Sequence, residues 1–180
     1  MKVLIKDPLL TIARGILWFL CVVMAIGAIA CLVAVPAIII MQDRIALELA
    51  KDMPAAPFPE FIGALCLVCV LAAVLVALLF RVFQLLRQMV DTVGLGDPFV
   101  PENARRLTRM AWLTLAVQVV GLPIGGLAMW IHEVTEGADG SDPQIGGIDG
   151  NGLLLMLILF ILARVFRKGA EMRAELEGTV

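Results

Sequence analysis

Charge is what this chain has least of. Asp, Glu, Lys and Arg make up 17% of its 180 residues, against about a quarter in an ordinary soluble domain. The shortage is concentrated, because residues 15–41, 61–80, 110–131 and 152–163 hold no charged side chain and no histidine. Without a carboxylate in any of these runs to carry a proton, a proton-coupled transporter is not expected. Residues 132–151 contain neither Lys, Arg nor cysteine. With 14 basic and 16 acidic residues the net charge is -2, so bulk charge gives no sign of direct nucleic-acid binding.

What is abundant is apolar surface: 61% of the residues are hydrophobic and the mean hydropathy is +0.99. A domain of about 150 residues buries only about two thirds of its surface on folding, so a soluble enzyme and a disordered chain are both excluded. The expected fold is an all-α integral membrane protein, one domain over residues 1–180. Four transmembrane helices at about 15–41, 61–80, 110–131 and 148–166 would form a four-helix bundle. A bilayer core of about 30 Å takes about 20 helical residues. The first three runs reach that length, and the fourth does so only by borrowing residues from its flanks.

Lys and Arg set the orientation. Twelve fall in the N-terminal segment, the second connection and the tail, and only Arg44 and Lys51 fall on the other side. Both termini and the middle connection are therefore expected in the cytoplasm, with the protein in a bacterial inner membrane and the lipid bilayer as its first partner. The first run is too long for a signal peptide's apolar region of about 7–15 residues, so it is read as a span. Residues 44–51 are expected to make one or two interfacial turns, and residues 4–10 to lie along the inner interface, broken at Pro8.

The second helix is expected to continue past the membrane, with Val82, Leu86, Met89, Val90 and Val93 on one stripe. Gly94 and Gly96 would end it. Phe99 follows in a turn as an anchor, Asn103 or Asp97 would cap the third helix, and Pro101 suits its first turn. Two readings of this face stand open. Val82, Leu86, Met89, Val93, Phe99, Asn103, Arg105, Arg106 and Arg109 could bind a partner. Alternatively, the stripe packs within the protein and the arginines hold anionic headgroups and set topology.

This segment resembles a known family. Gly96-Asp97-Pro98-Phe99, then Glu102-Asn103 and Arg106-Leu107, is similar to a "G-x-P-F-x-x-E-N-x-x-x-L" stretch of bacterial domain-of-unknown-function family 2975. The ending, with Phe166-Arg167-Lys168-Gly169 and Thr179-Val180, resembles that family's "F-R-R-G … L-T-V" finish, although Gly178 and Arg164 depart from the pattern. The resemblance implies four spans over nearly the whole chain and a cytoplasmic helix-turn-helix regulator as partner, for which the protein would be a sensor or sequestering site. It brings no catalytic residues.

The remaining candidates for chemistry are few. Cys66 and Cys69, with Cys21 and Cys31, invite comparison with quinone-linked disulfide-generating membrane proteins. Those need a second cysteine pair in an outer loop, which residues 132–151 do not supply, and thiols among aliphatic neighbours are inert packing residues. Gln118 is the strongly polar member of the spans and suits an interhelical hydrogen bond. Gly121 and Gly125 have the small-xxx-small spacing of close helix approach, within the monomer or in a homodimer, and Pro123 between them kinks the span. Asp139, Asp142 and Asp149 lack the alternating ligand spacing of a calcium loop, and lone His132 reads as a bystander.

No catalytic, cofactor or metal site is expected, and the chain is read as a non-enzymatic regulatory membrane protein with a cytoplasmic partner. The alternative is a small-molecule or lipid-handling transport accessory using Gln118 and the Pro123 kink. A membrane thiol-disulfide oxidoreductase comes third.

Overall fold

A computed structural model describes residues 8–52, 58–94, 98–136 and 150–177. All four elements are helices: α1 is Pro8–Asp52, α2 Phe58–Gly94, α3 Pro101–Glu136 and α4 Gly150–Glu177. α1 opens on a proline, whose fixed φ suits the first helical position and whose missing N–H is not needed there. It does not break near residue 44. The expected interfacial turns at 44–51 are instead the last turns of one 45-residue helix, because no Gly or Pro interrupts the chain between Pro36 and Pro54. Residues 1–7, including most of the expected interfacial segment, lie outside the described residues, as do the acidic residues of 137–149.

α2 passes from the apolar run through Arg81 and ends at Gly94, as the stripe and the glycine predict. α3 starts at Pro101, and the Asn103 N–H donates to the Val100 carbonyl at 2.9 Å to close its first turn. Asn103 is therefore inside the helix and is not its cap. The reason is Pro101, which occupies the first helical position and moves the boundary to Val100; Asp97 lies outside the described residues. α3 continues through Pro123 to Glu136. α4 carries the expected tail as helix, through Arg164 to Glu177.

The helices are antiparallel neighbours in chain order. Gly27 lies beside Val76 and Arg14 beside Asp91 across α1 and α2. Asn103 meets Thr92 and Arg106 meets Gln88 across α2 and α3. Trp112 meets Phe160 and Gln118 meets Gly152 across α3 and α4. The expected bundle is instead an open row: among the described residues α1 packs on α2 alone and α4 on α3 alone. A helix apolar around its whole circumference has no stripe to direct it to a second neighbour. α1 is such a helix, with Trp18, Phe19, Ile26, Ile29, Leu32 and Val33 all exposed.

Among the described residues, three helices are long and apolar enough to cross a membrane: α1 over Pro8–Leu47, α2 over Phe58–Gly94 and α3 over Pro101–Thr135. That is the signature of a multi-pass membrane protein. The uncharged part of α4, residues 150–163, spans about 21 Å at 1.5 Å per residue, short of a bilayer core of about 30 Å.

The core sits at one end of the row, where α3 is sandwiched. Leu107, Met110 and Ala111 of α3 pack with Leu159 and Ala163 of α4, and Val82, Leu85, Leu86 and Met89 of α2 close over them. This end also holds the start of α1, the α2–α3 connection and the end of α4, so most of the basic residues gather there. A 2.7 Å ion pair between Arg14 and Asp91 fastens α1 to it. Both side chains are about half exposed, so the pair contributes at most about 1 kcal/mol.

Candidate functional site

The α2–α3 corner is organised by one side chain. Asn103 is fully buried, at 0% exposure. A buried amide must spend its two N–H donors and its carbonyl acceptor on protein partners, and this one does. Nδ2 donates to Thr92 Oγ1 of α2 at 2.9 Å and to the Pro98 carbonyl at 3.0 Å. Oδ1 accepts from Arg106 Nη1 at 2.8 Å. Thr92 can act as acceptor because its single hydroxyl proton goes to the Met89 carbonyl at 2.7 Å. Arg106 Nη1 also reaches the Gln88 carbonyl at 3.2 Å, a second tie between the two helices.

α4 is locked to this corner by aromatic packing. The Phe99 ring sits 5.3 Å from that of Phe166, tilted by 42°. It lies so close over Gly169 that a Cβ there would fall 2.7 Å from a ring carbon. The two stretches that carry the family resemblance therefore meet in space. Pro98, Phe99, Asn103 and Leu107 of the first make the corner, and Phe166 and Gly169 of the second receive Phe99.

A double-mutant cycle tests this lock. Alanine is better than glycine in a helix interior by about 1 kcal/mol, so Gly169→Ala should stabilise the protein by about that amount once Phe99→Ala has removed the ring. With Phe99 present the added methyl must displace the ring, and overpacking costs about 1–3 kcal/mol. The same substitution is then expected to be neutral or destabilising, a reversal read as opposite shifts in thermal unfolding in detergent.

Each side chain expected at a partner surface has a defined place. Val82, Leu86 and Met89 face the core, Asn103 is internal, and Arg106 is held by the corner. Val93 is half-buried, and Phe99 is spent on α4 although 41% exposed. Arg105 and Arg109 are exposed. Arg105 lies 3.6 Å from Glu102, whereas Arg109 has no ion pair or hydrogen bond among the described residues. Gln118 is set against Gly152, which is where α3 and α4 approach closely. Gly125 is buried, and a Cβ on Gly121 would meet open space.

Two concave surfaces lie at this end. The first, about 430 Å³, runs between the start of α3 and the end of α4; Ala104, Ala170 and Ala174 form its floor, with Arg105, Arg167 and Glu171 at its rim. The second, about 530 Å³, lies between α2 and α3 and is lined by Arg81, Gln84, Gln88, Arg109 and Trp112 with two leucines. Neither is visible from helical spacing within one element, since each is built across a seam.

The cysteines are free thiols, with Cys21 buried and the others half-buried. Among the described residues no group of three His, Cys, Asp or Glu side chains is placed to hold a metal ion.

A sequence model of the family described as "Protein of unknown function (DUF2975)" matches residues 44–180, most of the chain. No curated protein and no solved structure matches it.

Proposed function

The chain belongs to the DUF2975 family, and on that premise we propose that it is a non-enzymatic regulatory membrane protein that holds a helix-turn-helix regulator at the cytoplasmic face. α1, α2 and α3 cross the bacterial inner membrane, and α4 crosses as a fourth span by locally thinning the bilayer and by letting Arg164 snorkel to the headgroups. The basic residues gathered at the α2–α3 end support a cytoplasmic position for that end and both termini.

The observation that carries the reading is the groove between α3 and α4. Its alanine floor leaves room for the side chains of an incoming helix. Arg167 on its rim makes no ion pair or hydrogen bond among the described residues, so a partner's carboxylate can take it. On the same tail Met172 stays exposed among charges, an apolar side chain suited to a contact that forms intermittently. The surface differs from the stripe expected on α2: Val82, Leu86 and Met89 pack into the core, and Arg105 and Arg167 form the groove's edge. The helix-turn-helix chemistry of the partner rests on the family resemblance.

The test is binding of the purified regulator to membrane vesicles that contain the protein. Binding is expected to inside-out vesicles and not to right-side-out ones. Arg105→Glu with Arg167→Glu should weaken it at least tenfold, because rim charges reversed in sign repel an acidic partner. Undiminished binding to that variant would overturn the groove, and binding to right-side-out vesicles would overturn the orientation.

A further inference from the structure

The second groove has a different chemistry from the first. Its two arginines sit at matching boundaries of neighbouring helices: Arg81 directly follows the uncharged run that ends at Phe80, and Arg109 directly precedes the one that starts at Met110. The antiparallel packing of α2 and α3 brings them into one concavity of about 530 Å³. No carboxylate lines it. The acids nearest in sequence are already engaged, Asp91 with Arg14 and Glu102 with Arg105. Among the described residues Arg81 has a single hydrogen bond, from Nη1 to Gln84 Oε1 at 3.3 Å, which orients its guanidinium, and Arg109 has no partner.

Two uncompensated guanidinium groups in one pocket call for a dianion or a phosphodiester, because each presents a planar fork of donors that matches phosphate oxygens. The side-chain amides of Gln84 and Gln88 add neutral donors. Trp112 is 59% exposed beside them, with its ring fixed edge-on against Phe160 at 5.7 Å. An indole at the edge of an apolar run is the usual residue of the headgroup level.

We propose that the α2–α3 groove is a specific site for the phosphate headgroup of an anionic phospholipid. Arg81 and Arg109 clamp the phosphate, and Trp112 lines the path of the acyl chains into the apolar run. A lipid, and not a free phosphate, is the occupant because the groove opens at the boundary where the uncharged runs begin. The inference rests on the membrane reading above and goes beyond it by assigning a ligand class to residues outside the partner groove.

The test starts with the full-length protein in membranes extracted with alkaline carbonate. Release into the supernatant would sink the membrane reading and this proposal with it. Protein that stays inserted is then purified and reconstituted in nanodiscs of phosphatidylcholine with 0 to 30% phosphatidylglycerol. Native mass spectrometry and quenching of Trp112 by brominated phosphatidylglycerol, in a Trp18→Phe, Trp130→Phe background, read occupancy.

Selective retention of phosphatidylglycerol over phosphatidylcholine is expected. Each of Arg81→Gln and Arg109→Gln should weaken it about fivefold, the worth of about 1 kcal/mol per arginine at a lipid surface. Arg164→Gln, at the same boundary but outside the groove, should leave it unchanged. Equal loss with Arg164→Gln would reduce the effect to diffuse surface charge, and equal retention of phosphatidylcholine would remove the charge recognition. Displacement of the lipid by millimolar inorganic phosphate would assign the site to a soluble anion. Any of these three overturns the proposal.

Discussion

Asn103→Ala is expected to lower the stability of the protein by about 2–4 kcal/mol, one of the two largest effects of a single substitution in the chain. The magnitude follows from what the amide leaves behind. A buried polar group deprived of its partner costs about 1–3 kcal/mol. The Pro98 carbonyl loses the Asn103 donor recorded for it, and Thr92 Oγ1 loses its donor while still giving its own proton to Met89. Arg106 loses its 2.8 Å acceptor and retains the Gln88 carbonyl, so its charge is only partly orphaned. Asn103→Asp is the sharper probe of mechanism. It restores the acceptor for Arg106 and removes both donors, so it should recover the Arg106 share and leave the Pro98 and Thr92 share lost. Thermal unfolding in detergent ranks the three proteins as wild type, then Asp, then Ala. An alanine variant as stable as wild type would mean that the corner is held by packing alone.

The corner also shows how far the sequence alone could be read. The apolar runs were legible because nothing but a span or a buried helix uses some 20 uncharged residues in succession, and the helix ends at Gly94 and Pro101 follow from local backbone chemistry. The residues of the corner were legible as a motif, and their role was not. Asn103 looks like a cap from its type, and only the position of Pro101 two residues earlier turns it into a hub. The stripe on α2 was correctly periodic, yet periodicity says that one face differs from the other and is silent on which neighbour covers it. Phe99 and Gly169 are far apart in the chain, so no spacing rule joins them. The two grooves were illegible for the same reason, because each takes its charged residues from two helices.

The least legible feature is the open row itself, and it yields a prediction that separates two identical substitutions. Leu107 is 2% exposed in the α3 core against Ala111, Leu159 and Ala163. Truncating such a leucine loses its packing and leaves a cavity, and Leu107→Ala should cost about 3 kcal/mol, within the usual span of about 2–5. Leu154 is 56% exposed on the outer face of α4. If that face meets lipid, acyl chains fill the space that the side chain vacates, there is no cavity, and Leu154→Ala should change stability by less than about 0.5 kcal/mol. The contrast depends on α4 being the bare edge of a row. In a closed bundle, or in a homodimer that buries α4 against a second copy, Leu154→Ala would approach the cost of Leu107→Ala and would also become dependent on protein concentration. Thermal unfolding of both variants at two protein-to-detergent ratios therefore reads the architecture directly. A large effect at Leu107 with none at Leu154 fits four helices side by side with lipid on both faces, whereas a large, dilution-sensitive effect at Leu154 would mean that a second copy covers the open edge.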